Sequence, residues 1–308
     1  MDFLGEVLRP DQVSDSEDVR QDHAHDFGLN TEGVPPEAVV FPESTEDVVH
    51  VLVEASDRSI PVTPYALGTG LEGMAVPSPD GISLDMTRMD TISSFRPEDF
   101  QVTVQPGVVG SDINDEVKSR GLFFPPLPTS GDISTIGGMI ANDASGKYTV
   151  RYGEVQDWIL ELEVVLPDGN VVRAGSRARK SSSGYNLKDL FVGSEGTLGV
   201  ITEAVLELAG LPDQRRRGRV LFSEFDDAGQ CVRDLVQGGV DLAAVELVDE
   251  LSVRMANQHL DLDLTEGPGL FLEFHADHDI EEELEYAKTI LRSHDPVEMT
   301  FAEDPKAM

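Results

Sequence analysis

Pro64-Tyr65-Ala66-Leu67-Gly68-Thr69-Gly70-Leu71-Glu72-Gly73 is the stretch on which the fold turns. Residues 68–73 match G-x-G-x-x-G letter for letter, a pattern that opens a helix in dinucleotide-binding βαβ units. That reading needs a helix to begin here. Pro77 and Pro79 follow almost at once, and proline within the first turns of such a helix costs about 3 kcal/mol. The stretch is therefore a loop after a strand over Ile60–Thr63. A glycine loop still has a chemical use, because amides without Cβ neighbours can close on a phosphate. Taken alone, a tight turn with no ligand is the lesser alternative.

Two further small-residue segments stand downstream. Pro128-Thr129-Ser130-Gly131-Asp132-Ile133-Ser134-Thr135-Ile136-Gly137-Gly138 leads into Ala141-Asn142-Asp143-Ala144-Ser145-Gly146. A helix over Ile136–Asn142 would point its first free amides at whatever lies before it. The third segment, Gly193-Ser194-Glu195-Gly196-Thr197-Leu198-Gly199-Val200-Ile201-Thr202, feeds a glycine turn into a strand over Val200–Leu208. Three such segments in one region let a large flat ligand with an extended pyrophosphate lie against backbone in several places.

The intervening elements are ordinary. Ser44 caps a helix whose buried stripe is Val48, Val49, Leu52 and Val53. Ile82–Asp85 and Gln101–Gln105 read as strands. Ser111 caps a helix through Arg120 that Gly121 stops. Trp158–Leu166 and Val171–Arg173 form a hairpin around Pro167–Asn170. After a composition shift at Leu211–Arg219 the pattern restarts as strand, helix, strand, helix, strand, helix, strand through Phe301. That alternation predicts a second α/β unit.

The 308 residues suffice for two domains. Residues 1–30 are polar and read as peripheral. There are 58 acidic and 23 basic residues, a net charge of −35, and the acid is spread along the whole chain. Nucleic-acid binding is disfavoured, since phosphate contacts need clustered Lys and Arg. The one basic cluster, Arg215-Arg216-Arg217 with Arg219, reads as a solvated connector. So acidic a chain repels itself in dilute buffer, and molar salt removes that repulsion. A halophilic, high-salt cytoplasm is the expected setting. No apolar run approaches the roughly 18 residues of a membrane span, and the acidic N-terminus is no signal peptide. No transmembrane segment is expected, and the location is cytoplasmic or peripheral at a membrane. Cys231 is the only cysteine, so no intrachain disulfide or cysteine metal site is expected, and burial is its expected state. His23 with His25, and His275 with His278, are weak metal candidates better read as packed or surface residues.

The order of these tags resembles one superfamily. Residues 64–73, then Val104-Gln105-Pro106-Gly107-Val108, Pro125–Gly138, Val150-Arg151-Tyr152-Gly153, Gly184-Tyr185-Asn186-Leu187 and 191–199 are similar to the vanillyl-alcohol-oxidase/PCMH-type flavoproteins. Within it they resemble the D-lactate dehydrogenase (cytochrome)/glycolate oxidase branch. Val245–Asp249 and Phe271–His275 extend the likeness. The resemblance implies an α+β fold: an N-terminal extension over 1–32, a two-lobed PCMH-type FAD-binding domain over 33–212, and a partial α/β substrate-cap domain over 213–308. It implies an FAD-dependent oxidoreductase acting on a D-2-hydroxyacid, D-lactate or glycolate, with a cytochrome or quinone rather than NAD as acceptor. Another enzyme of the superfamily stays open, such as a D-2-hydroxyglutarate dehydrogenase or an alkylglycerone-phosphate synthase, as does a non-catalytic flavin-binding remnant.

The implied roles are residue by residue. Pro64, Tyr65, Ala66, Leu67, Gly68, Thr69 and Gly70 would cradle the FAD pyrophosphate. Thr129, Ser130, Gly131, Asp132, Ile133, Ser134 and Thr135, with Asn142, Asp143, Ala144 and Ser145, would line the flavin and ribityl region. Glu195, Gly196, Thr197, Leu198, Gly199, Val200 and Ile201 would pack by the adenosine part. Positions 65–67 lack the histidine that carries a covalent flavin in some relatives, so non-covalent FAD is expected. The relatives' C-terminal His-rich motif with Asp-Gly-Asn, and their Glu-His-Gly-Ile-Gly stretch, are absent. The expectation is a C-terminally truncated chain, with no catalytic or metal residue assignable. A divalent metal would belong to the complete enzyme, and a second polypeptide would supply the missing part.

Overall fold

The helix Thr45–Asp57 shows how local chemistry sets the elements. The Ser44 hydroxyl accepts from the Asp47 amide at 3.2 Å, and Glu46 and Asp47 lie in the first turn, where acid favours the helix dipole. Its buried face is Val48, Val51, Leu52 and Ala55, the i, i+3, i+4, i+7 set. The expected stripe is thus rotated: Val49 and Val53 are only half-buried.

The computed structural model describes residues 1–28, 33–260 and 262–302. The expected boundary at residue 32 and the end of the expected cap at 308 lie outside the described residues. The chain divides into two compact units, Met1–Ser145 with Glu154–Gly210, and Gly146–Gly153 with Leu211–Met308.

Unit 1 holds two principal sheets. In the first, β1 (Val13–Ser14), β2 (Ala38–Val40), β4 (Ile82–Asp85) and β3 (Val62–Tyr65) stand in that order. The last three are parallel, and β1 is antiparallel to β2. The second sheet has the order β5 (Ile92–Arg96), β6 (Gln101–Val104), β10 (Val200–Glu207), β8 (Ile159–Val165), β9 (Val171–Gly175), antiparallel throughout. A short pair, β7 (Leu122–Phe123) with β11 (Ala209–Gly210), completes the unit. Val102, Val104, Leu162, Val164 and Leu206 bury against Ile113 and Val117 of helix Gly110–Val117 and against Ile136 and Ile140. Each such side chain contributes roughly 1.5–3 kcal/mol.

Residues 1–28 are not peripheral. β1 extends the parallel sheet, Leu4 is fully buried in its core, and His23 and Asp26 are buried. The polar composition misleads because the few apolar residues are the ones that pack. Helix Gly110–Val117 starts at Val109 without a side-chain cap, so Ser111 does not cap it.

Unit 2 alternates strand and helix as expected, yet its sheet is not parallel. The order is β13 (Leu242–Val248), β14 (Gly269–Ala276), β12 (Gln214–Leu221), β15 (Glu298–Ala302), with every pair antiparallel. Helix Phe225–Gln237 carries β12 past β14 to β13, and helix Glu281–Arg292 carries β14 past β12 to β15. The two crossovers interleave, so neighbours run in opposite directions. Cys231, Leu235, Leu284 and Leu291 of these helices bury against Val220, Leu272 and Phe274. Arg215–Arg217 and Arg219 belong to β12, not to a connector. Arg216 pairs with Glu281 at 3.3 Å and Arg217 with Glu273 at 3.1 Å.

Candidate cofactor site

Unit 1 contains a cavity of about 450 Å³ at which all three small-residue segments converge, within the size range of ligand clefts. The loop after β3 forms one wall, and Pro64 through Glu72 line it. Gly68 has φ +61°, a left-handed conformation, and a Cβ there would collide with the Tyr65 ring. Only glycine fits without strain. Among the described residues, the amides of Leu67 through Glu72 donate to no protein acceptor, whereas the Gly73 amide donates to Asp26 Oδ2 at 2.6 Å. Leu67, Leu71 and Glu72 are exposed, but Gly68 is buried and Thr69 and Gly70 are half-buried, and free amides at such positions along a cavity suit an anion.

The second segment supplies hydroxyls. Ser134 Oγ donates to Ser130 Oγ at 2.9 Å and lies 3.2 Å from Thr69 Oγ1, which ties it to the first loop. Ser130, Ser134, Thr135 and residues 142–145 line the cavity. Helix Ile136–Ala141 does not offer the free amides expected of it. Ile136 N donates to Val108 O, Gly137 N to Pro106 O and Gly138 N to Thr135 Oγ1, so its first turn is spent on the protein.

The third segment closes the other side. Gly193 N and Glu195 N donate to Ile140 O and Ala141 O at 2.9 and 2.8 Å. Gly196, at φ +73°, comes so near the first loop that a Cβ would stand 3.0 Å from Pro64 Cγ. Glu195, Gly196, Gly199, Val200 and Ile201 line the cavity. Two non-glycine residues of the lining, Asp143 at φ +47° and Glu195 at +52°, are left-handed, a costly conformation common at ligand sites.

Thr129, Gly131, Asp132, Ile133, Thr197 and Leu198 stand outside the lining. Gly131 packs on Leu127, and the other five are exposed. The lining also takes in Met74, Met86, Pro106 and Met139, which sequence reasoning missed. Gly137 and Gly138 line it too, and their place in the quoted motif was the available signal. No Lys, Arg or His is among the described lining residues, so attraction for an anion rests on backbone amides.

Behind the first loop lies a buried His23–Asp85 pair, with Nε2 2.8 Å from Asp85 Oδ2 and Nδ1 2.8 Å from Val19 O. Burial pushes the imidazole pKa down, but the hydrogen bonds to Asp85 and Val19 and the charges of Asp85 and Asp22 prevail, and it is raised. Tyr65 rests on the His23 ring at 4.6 Å. His23 is thus engaged by Asp85 rather than poised to share a metal with His25.

Unit 2 has its own polar cluster. Glu273 accepts from Tyr148 Oη at 2.9 Å and Arg217 Nε at 3.1 Å, and lies 2.9 Å from His275 Nε2. Burial pushes the Glu273 carboxyl up, but the hydrogen bonds and the charges of Lys147 and Arg217 outweigh it and hold the pKa at about 2. His275 Nδ1 is 3.0 Å from Tyr152 Oη. His275 is buried in this network.

The comparisons make the chain a two-part flavoprotein. Residues 36–175 match the family described as FAD binding domain, and residues 211–308 match FAD linked oxidases, C-terminal domain. The chain belongs to the FAD-linked oxidases of the PCMH type. It is 38% identical to the D-lactate dehydrogenase [cytochrome], mitochondrial, of Arabidopsis thaliana, over 88% of this chain and 48% of that protein. It is 32% identical to glycolate oxidase subunit GlcD of Bacillus subtilis, over 97% of this chain and 64% of that protein. The chain thus spans about half to two-thirds of these relatives. An alkyldihydroxyacetonephosphate synthase structure superimposes with a TM-score of 0.85 at 21% identity, over 99% of this chain and 61% of that one. A substrate-bound p-cresol methylhydroxylase structure gives 0.81 at 17%, over 100% and 66%. These two show the fold. Among the described residues, no helix is long and apolar enough to cross a membrane.

Proposed function

We propose that this chain is the cofactor-binding part, with part of the cap, of an oxidoreductase that converts a D-2-hydroxyacid, D-lactate or glycolate, to the 2-oxoacid. The electrons pass to a cytochrome or quinone, and FAD is held non-covalently. The observation that carries this reading is the run of unpaired amides from Leu67 to Glu72 along the cavity. The names of the relatives supply the reaction class.

FAD, when bound, supplies the two-electron acceptor. The chain's own residues hold and orient it. Amides of residues 67–72 would hold the pyrophosphate, the Ser130, Ser134 and Thr135 hydroxyls with residues 142–145 would face the flavin and ribityl chain, and Glu195 and Ile201 would flank the adenosine. The described lining contains no histidine or cysteine for a covalent link. Its one tyrosine, Tyr65, is turned onto His23, with its hydroxyl 3.4 Å from Asp22 O. The proposed division of labour is FAD binding over 33–212 and substrate covering over 213–308.

The test is an anaerobic visible spectrum before and after D-lactate, L-lactate and glycolate. Flavin bands that bleach with D-lactate or glycolate but not L-lactate support the reading. Bands that none of them bleaches, with a candidate second polypeptide added, would favour another enzyme of the superfamily or a non-catalytic flavin carrier.

A further inference from the structure

The segment Asp22–Gly28 touches the cofactor loop at five points. Phe27 N donates to both Gly68 O and Gly70 O at 3.0 Å. Asp26 Oδ2 accepts from Gly73 N at 2.6 Å. Tyr65 Oη donates to Asp22 O at 3.4 Å, and the His23 ring lies against the Tyr65 ring. The segment is itself anchored, by His23 to Asp85 and Val19 and by Val34 N to Ala24 O at 2.8 Å.

Peptide geometry gives these contacts a direction. In a trans peptide the carbonyl of one residue and the N–H of the next point opposite ways. Drawing the Gly68 and Gly70 carbonyls onto Phe27 turns the Thr69 and Leu71 amides away from Phe27. Both of those residues line the cavity, and neither amide has a protein acceptor among the described residues. Asp26 is 5% exposed, and its carboxylate accepts from the Gly73 and Gly28 amides. That leaves Gly73 out of the set of free donors.

We propose that Asp22–Gly28 is a built-in clamp that aims the Thr69 and Leu71 amides into the cavity, with Asp26 and the Phe27 amide as the positioning groups for the pyrophosphate of FAD. The clamp rests on the FAD reading of the cavity. It organises the loop in advance, so binding does not have to order it.

The experiment uses the full chain with Asp26→Ala, and with Asp26→Asn as a milder variant that keeps the side-chain size and one acceptor. Oδ1 accepts from the Gly28 amide and Oδ2 from the Gly73 amide, and Asn replaces one of these oxygens with an NH2 group that cannot accept. FAD affinity is read by flavin fluorescence, and amide deuterium exchange is read without FAD. The clamp predicts at least a tenfold loss of FAD affinity for Asp26→Ala and a smaller loss for Asp26→Asn. Exchange rises only at residues 22–28 and 66–73. Unchanged FAD affinity in both folded variants, or faster exchange spread evenly over unit 1, would overturn it. If the unaltered chain binds no FAD, the cofactor reading fails. The clamp itself is then judged on exchange at Phe27 and Gly73, which it predicts to be protected in the unaltered chain and released in the variants.

Discussion

Gly68 concentrates the demands on the cofactor loop, since it combines a left-handed φ of +61° with contact against Tyr65. A side chain there costs about 1–2 kcal/mol in backbone strain alone. Gly68→Ala should lower the unfolding free energy by at least that much and weaken FAD binding at least tenfold, as denaturant unfolding and a flavin titration would show. His23 offers a pH signature. Its pKa is raised in the fold, so the stabilisation from its pair with Asp85 is fully present below the ordinary imidazole value of ~6.5. It is lost as pH rises through the folded value. The difference in melting temperature between the unaltered chain and His23→Gln should therefore shrink from about pH 6 to pH 9. Glu273 works the other way. Its carboxyl is held at about 2 against an ordinary 4.5, so its contribution is present above 4.5 and lost as pH falls toward 2. Glu273→Gln should destabilise at neutral pH, with the gap closing in acid. At this scale the glycines of the loop were legible, because a left-handed turn leaves a mark in composition. His23 and Asp26 were not, because their partners Asp85 and Gly73 lie 62 and 47 residues away.

Among elements, β10 is central to the five-stranded sheet, flanked by β6 and β8. Leu206 is fully buried there, and Leu206→Ala should cost about 2–5 kcal/mol through the cavity it leaves, measurable by denaturant unfolding. The hairpin of β8 and β9 was readable from Pro167-Asp168-Gly169-Asn170, whose Gly169 takes φ +81° as such a turn requires. The antiparallel sheet of unit 2 was not readable. A run of strand, helix, strand has the same hydrophobic pattern whether or not its crossovers interleave, and only the pairing of β12 with both β14 and β15 distinguishes them. The arginines of β12 misled for a related reason. Alternate arginines on a strand place Arg215, Arg217 and Arg219 on one face, opposite His275, Glu273 and Phe271, which in sequence looks like a basic connector. The first turn of helix Ile136–Ala141 misled because the carbonyls that take up its amides, Pro106 and Val108, lie some 30 residues upstream.

For the molecule as a whole, the net charge of −35 makes salt the first condition to vary. Molar salt shortens the screening length to about 3 Å, so unfolding temperature should climb steeply as salt rises from about 0.1 M to 2 M. A melting point that ignores salt over that range would contradict the salt-adapted reading. The cavity could be anticipated because three glycine- and serine-rich segments in one region are hard to explain as turns alone. Its unpaired amides required the structure, since composition does not say which N–H groups the protein uses itself. The most direct test of the cofactor claim is to supply FAD to the folded chain in molar salt, remove the excess, precipitate the protein with acid, and measure flavin in the supernatant. The account predicts close to one FAD per chain, released intact and leaving a colourless pellet. A folded chain that retains no flavin, or a pellet that stays yellow, would contradict it.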